Sequence, residues 1–231
     1  MSSTAPSPAP SPVQRRRCSE CLRPLGRASS PESTGPEYRN TSHNACHNAC
    51  ICQWVVKVSS PVEVLILQHP LEVHHPKGSA RLLHLCLPGS RLVVGEVFDA
   101  TSAGRDLPGI GRRDVLLYPS QPSQPFLSAC EALPLPPLDT LRLVVLDATW
   151  RKSRKMIHQS PWLQQLPRMA LRETPASNYA IRKAHLPGQL STFEAVCAAL
   201  GQLASPERYA PLLKSFDGFV AQQGQFFIKK L

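Results

Sequence analysis

Ten residues, Leu146-Asp147-Ala148-Thr149-Trp150-Arg151-Lys152-Ser153-Arg154-Lys155, hold most of the chemistry this chain advertises. They pair one acid with a hydroxyl and a large aromatic, then place four cations within five residues. A carboxylate can take a proton or orient a polar ligand. A tryptophan can pack on a flat ring. Clustered lysines and arginines suit phosphates, which they position rather than read. The segment therefore suggests a small-ligand site, centred on Asp147, that opens onto something anionic.

The cysteines carry a second chemistry. Cys18-Ser-Glu-Cys21 and Cys50-Ile-Cys52 form two close pairs separated by a polar stretch. Tetrahedral zinc takes four thiolate or imidazole ligands, and two short-spaced pairs supply them. Residues 18–52 are too poor in apolar side chains to fold by burial, so a metal would be the main source of order between Cys21 and Cys50. Disulfides, or free thiols that never meet, are the competing readings, and a cytosolic chain disfavours disulfides. The preferred ligands are Cys18, Cys21, Cys50 and Cys52; His43, Cys46 and His47 leave alternatives open. Cys86, Cys130 and Cys197 read as ordinary buried residues.

Elements must exist to hold these groups. The run from Leu141 to Leu146 reads as a strand buried on both faces, as in a parallel sheet. A helix should follow it, capped by Asp147 or Thr149. Val62–Gln68, Arg91–Phe98 and Asp114–Tyr118 are further expected strands, with a short helix over Ala80–Leu87 stopped by Pro88-Gly89. Residues 119–137 carry six prolines and read as a surface loop. Alternating strands and helices predict an α/β fold with a mostly parallel sheet flanked by helices. In such sheets ligands bind past the carboxyl ends of the strands, where Asp147 falls.

A second helix opens at Ser191, where Ser191 and Glu194 make a capping box. Phe193, Val196, Cys197 and Leu200 then share one apolar face. A helix packed on the core explains all of these residues; a helix start that receives a carboxylate explains them too. Arg182 and Lys183 would extend the basic surface, Lys183 more simply as a solvated side chain. His69 follows a strand and reads as structural, although Gln68-His69-Pro70 would line a site there. The His74-His75 pair needs no function.

Composition sets the outer bounds. Hydrophobic residues at 42% exclude a wholly disordered chain, and the formal charge of +10 favours a polyanionic partner. No apolar run approaches the ~20 residues that span a bilayer, so no membrane association is expected. Residues 1–17, rich in proline and serine, read as a disordered tail without a signal peptide, and a cytoplasmic location follows. The expected organisation is that tail, a cysteine-rich zinc module over 18–54, and a catalytic α/β domain over 55–231.

The ordered series of motifs resembles the DTW-domain family. Asp-Ala-Thr-Trp with its basic helix, Ser160-Pro161-Trp162-Leu163, Leu166-Pro167, Tyr179-Ala-Ile-Arg-Lys and Leu190-Ser-Thr-Phe-Glu-Ala carry it. The cysteine pairs, Gln68-His69-Pro70-Leu71-Glu72 and Leu116-Leu117-Tyr118-Pro119 fit in the same order, so the likeness covers about residues 18–204. Here a small residue, Ala148, stands between the acid and the threonine of the name-giving motif. The stretch from Cys21 to Cys50 also looks longer than usual.

The resemblance implies a tRNA-uridine aminocarboxypropyltransferase that places a 3-amino-3-carboxypropyl group from S-adenosylmethionine on N3 of a uridine. It implies a SPOUT-like fold with a C-terminal knot binding the cofactor. On that footing Asp147 is the expected catalytic carboxylate. Leu117, Tyr118, Pro119, Thr149, Trp150, Ser191 and Thr192 are expected around the cofactor, with Ser191 and Thr192 on its carboxylate. Arg151, Lys152, Arg154, Lys155 and Arg182 are expected on tRNA, and zinc is expected to be structural. No obligate protein partner is indicated. The rival expectations are an S-adenosylmethionine-dependent RNA methyltransferase and a non-catalytic, zinc-stabilised RNA-binding protein.

Overall fold

The computed structural model describes residues 17–24, 49–99, 112–119, 137–172, 177 and 190–228. The chain divides into two compact units, Met1–Cys50 and Ile51–Leu231. In the first, the backbone turns back on itself between Arg17 and Pro24, which form an antiparallel bridge. The Cys18 N–H donates to the Arg23 carbonyl and the Leu22 N–H to the Cys18 carbonyl, both at 2.9 Å. Leu22 takes a left-handed backbone with φ 59°, a conformation a leucine adopts only when its surroundings fix it.

The second unit is α/β. Five parallel strands, β1 (Glu63–Gln68), β2 (Arg91–Val94), β3 (Arg113–Leu117), β4 (Leu141–Asp147) and β5 (Arg168–Met169), lie in the order β2-β1-β4-β3-β5. Parallel neighbours need crossovers, and helices α1 (Ala80–Cys86), α2 (Trp150–Gln159), α3 (Pro161–Gln165), α4 (Thr192–Leu203) and α5 (Pro206–Ile228) flank the sheet. Strand β4 is central and, apart from half-buried Leu146, buried throughout, which is why it reads as an apolar run, interrupted before Asp147 only by the ion-paired Arg142, rather than as an alternation.

One face of the sheet packs Leu65, Leu67, Leu116 and Val144 against Met156 and Ile157 of α2 and Trp162 and Leu163 of α3. Helices α1 and α4 also contact the sheet, at β1 and β4, and α4 lies against α5. That helix pair is held by a stack of Phe193 on Phe216 (centroids 4.8 Å apart) continued by Phe219. A bidentate pair between Arg142 and Asp114, at 2.7 and 2.9 Å, ties β4 to β3 in the half of the sheet away from Asp147.

Trp54 docks on α5. Its indole N–H donates to Gln222 Oε1 at 2.5 Å and its carbonyl accepts from the Ser215 hydroxyl. Gly218 makes this approach possible, because a Cβ there would lie 2.2 Å from Trp54 Cζ3.

Four expected strands and the two helices after Ser79 and Ser191 are present. The second strand is shorter than the pattern suggested, ending at Val94 rather than Phe98. Gly95 follows, and its N–H makes the last rung of the ladder, to the Gln68 carbonyl at 3.0 Å. The two-residue β5 and the long α5 carried no signal read in advance. Most of the proline-rich 119–137 stretch lies outside the described residues.

Candidate active site at the carboxyl edge of the sheet

Strand register sets Gln68 beside Asp147 at the carboxyl ends of β1 and β4. The two strands stay bonded one residue further, through the His69 N–H and the Asp147 carbonyl at 3.1 Å. Helix α4 starts close by. As a result Asp147, buried at 6% exposure, has each oxygen engaged from a different element. Gln68 Nε2 donates to Oδ2 at 2.8 Å, and the Thr192 hydroxyl donates to Oδ1 at 2.7 Å. Two such bonds, from two separate elements, fix the orientation of the carboxylate.

The sequence left two caps open for α2, and the structure selects Thr149. Its backbone is extended and its side chain accepts from the Lys152 N–H. Asp147 is thereby released from helix capping. Trp150 is 48% exposed and meets Tyr118 edge-on, with centroids 5.5 Å apart. The Tyr118 hydroxyl lies 3.2 Å from Ser153 Oγ on α2, which holds the phenol against the helix. Leu117, Tyr118 and Pro119 lead out of β3 beside this pair, Leu117 and Tyr118 half-buried and Pro119 exposed. An aromatic wall thus stands at the carboxyl edge, near the strand end that carries Asp147.

Ser191 and Thr192 are differently employed. The Ser191 hydroxyl accepts from the Glu194 N–H while Glu194 Oε2 accepts from the Ser191 N–H, completing the capping box. Ser177 donates to the same Glu194 carboxylate. At 2% exposure Ser191 belongs to the helix start, whereas Thr192 points its hydroxyl at Asp147.

The four cations of α2 do not form a uniform patch. Lys152 pairs with the buried Glu72 at 2.9 Å, and Lys155 pairs with Glu96 at 3.2 Å, a carboxylate also 3.5 Å from His69 Nε2. Arg151 and Arg154 are exposed and have no ion-pair partner among the described residues. Sequence reasoning did not foresee the two glutamates, which lie 59 and 80 residues away along the chain. His69 is structural in part as expected, since its Nδ1 accepts from the Leu71 N–H. Arg182, Lys183, His43, Cys46, His47 and Cys130 lie outside the described residues.

Cys18, Cys21, Cys50 and Cys52 bring their sulfurs within 4.8 Å of one another. Cys21 and Cys50 are 3.6 Å apart at sulfur, and Cys50 and Cys18 3.9 Å. Four sulfurs each about 2.3 Å from one tetrahedral zinc would be separated by roughly 3.8 Å, so the set fits such an ion. Cys86 and Cys197 are buried in the second unit, and burial pushes both thiols up from their ordinary range.

Fold and site together define a parallel α/β protein with a candidate ligand site at the carboxyl edge of its sheet and a four-cysteine cluster that could hold a metal. More particularly, the model of the DTW domain matches residues 44–224, and the chain belongs to that family. Among its relatives, tRNA-uridine aminocarboxypropyltransferase 2 of Drosophila melanogaster is 28% identical over 217 residues, 86% of this chain and 84% of the relative. The tRNA-uridine aminocarboxypropyltransferase A of Arabidopsis thaliana is 27% identical over 190 residues, 67% of this chain and 68% of that protein. No solved structure matches the chain at a significant level.

Proposed function

We propose that this protein transfers the 3-amino-3-carboxypropyl group of S-adenosylmethionine to N3 of a uridine in tRNA. The observation that carries the reading is the coincidence of two facts. The chain matches the DTW domain and enzymes named for this transfer over most of its length. And the acid of its name-giving motif is built into a fixed acceptor at the ligand edge of the sheet.

In this reading Asp147 accepts the N3 proton while the N3 lone pair forms the new bond to the γ-carbon of the methionine moiety. The γ-carbon–sulfur bond breaks with its electron pair going to sulfur, and methylthioadenosine leaves as a neutral thioether. A sulfonium is already a good leaving group, so the residues mainly align nucleophile and carbon. Gln68 and Thr192 supply that alignment by fixing Asp147. Leu117, Tyr118 and Pro119 line the adenosine, with Trp150 against the adenine or the extruded base. The N-terminal turn of α4 faces the ligand, with the Thr192 hydroxyl given to Asp147. Arg151 and Arg154 hold tRNA phosphates, Lys152 and Lys155 acting there only by exchanging their glutamates.

The same reading extends to the fold and the metal. The five-stranded parallel sheet, with its ligand edge at β4 and α4, supports a SPOUT-like catalytic domain with a C-terminal knot. Zinc on Cys18, Cys21, Cys50 and Cys52 would order the cysteine-rich module and has no part in the transfer. A cytoplasmic place of action accords with the substrate; among the described residues no helix is long and apolar enough to cross a membrane.

The test is mass spectrometry of nucleosides from undermodified tRNA incubated with the protein and S-adenosylmethionine. Uridine should gain the mass of an aminocarboxypropyl group while methylthioadenosine appears in equal amount. A gain of one methyl would replace the reading with a methyltransferase. Tight tRNA binding with no mass change would replace it with a binding module.

A further inference from the structure

Arg168 is the group that neither the fold nor the proposed transfer accounts for. It opens β5 beside Leu116 of β3 and is 2% exposed. One of its terminal nitrogens donates to the Pro119 carbonyl at 3.2 Å, and its guanidinium carbon lies 5.1 Å from the centre of the Tyr118 ring. Those contacts do not complete its shell. Two buried side-chain nitrogens among the described residues find no hydrogen-bond partner, the neutral indole of Trp162 and the Nε of Arg168. No carboxylate among the described residues forms an ion pair with Arg168. Burial accordingly pulls its guanidinium down from the usual arginine range.

A buried cation left unpaired costs several kcal/mol, which structures avoid unless an anion arrives to pair it. Arg142, one strand over from β3, shows the usual solution in this sheet, with both oxygens of Asp114 bridging its fork. Arg168 has the same planar fork, over the Tyr118 ring and beside the Pro119 carbonyl, without such an acid among the described residues.

We propose that Arg168 is a receptor for a small carboxylate, completed only when ligand binds. Granted the transfer proposed above, that carboxylate is the one on the aminocarboxypropyl group of the donor. Several features favour this source over an RNA phosphate. At 2% exposure the guanidinium admits the end of a small molecule and not a polymer backbone. It adjoins Tyr118 and Pro119, the exit of β3, and so lies beside the expected adenosine wall. Of the other candidates for the carboxylate, the Thr192 hydroxyl already gives its proton to Asp147 Oδ1. Two strand spacings of about 4.8 Å separate β5 from β4, enough to bracket the reacting carbon between Arg168 and Asp147. Arg168 would then choose which arm of the sulfonium faces the uridine, anchoring the aminocarboxypropyl arm by its far end.

The test compares two ligands that differ by that arm. S-adenosylhomocysteine carries the carboxylate and methylthioadenosine lacks it, so the ratio of their Kd values reads the arm alone. In full-length Arg168→Gln the S-adenosylhomocysteine Kd should rise roughly 10- to 100-fold, the size of a lost hydrogen bond to a charged group, with methylthioadenosine unchanged. Arg168→Lys keeps the charge without the fork and should fall between. Unchanged methylthioadenosine binding also shows that the variant is folded. A ratio that stays at its wild-type value in both variants, whether neither ligand or both weaken, would overturn the proposal. So would a loss confined to tRNA binding, which would assign Arg168 to a phosphate. Failure of the wild-type protein to bind S-adenosylhomocysteine would instead overturn the transfer reading, and this one with it.

Discussion

Replacing Asp147 separates the chemistry from the architecture only if the right substitution is made. Alanine would strand two donors, the buried Gln68 amide and the half-buried Thr192 hydroxyl. Each unpaired donor costs ~1–3 kcal/mol, so the pair threatens much of the ~5–15 kcal/mol that holds a domain. Asparagine avoids this. Its oxygen can still accept from Thr192, and Gln68 can turn its amide so that Oε1 accepts from the new Nδ2. The net change in stability should be about 1 kcal/mol, or ~2–4 °C in Tm for a chain of this size. What asparagine cannot do is accept the N3 proton. A positioned base contributes about 10²- to 10⁴-fold, so single-turnover transfer by Asp147→Asn should fall by that factor with tRNA affinity unchanged. The residual rate should climb with pH, as solvent takes over deprotonation of the uridine. An asparagine variant that transfers within about threefold of wild type at neutral pH would refute the assignment of Asp147 as the base.

Other consequences are independent of that one. Gly218→Ala would drive a methyl into Trp54 and should cost ~1–3 kcal/mol, visible in thermal unfolding. The double change Arg151→Ala, Arg154→Ala should weaken tRNA binding and flatten the slope of log K against log salt by about 1.4–1.8, whereas Lys152→Ala, whose partner is Glu72, should flatten it less. Elemental analysis should find about one zinc per chain, and Cys21→Ala should lose it. Burial, then the charges of Arg81 and Lys57, lower the pKa of His84 below its ordinary 6.5. The unfolded chain therefore binds the proton more readily, so this contribution is present above pH 6.5 and fades as pH falls below it; His84→Gln should remove that part of the acid-side slope.

The sequence by itself determined what local rules and short spacings control. Strand β4 was legible because a doubly covered parallel strand is nearly continuous in apolar residues, here from Leu143 to Leu146, and its end was legible because Asp147 breaks the run. The capping box at Ser191 was legible because Ser191 and Glu194 satisfy each other's backbone within three residues. The four cysteines were legible because metal geometry requires pairs that close in sequence.

Tertiary structure decided everything that depends on which distant groups become neighbours. Only the pairing of β1 with β4 sets Gln68 on Asp147, and only the placement of α4 brings Thr192 to the other oxygen. The basic run after Trp150 looked like four equivalent cations until Glu72 and Glu96 claimed two of them. Arg168 carried no signal at all, because what marks it is a buried guanidinium with no acid beside it among the described residues, and burial is a property of the folded chain. Periodicity and spacing record how a residue relates to its neighbours along the chain. Register and packing, which join residues tens of positions apart, settle which side chains meet.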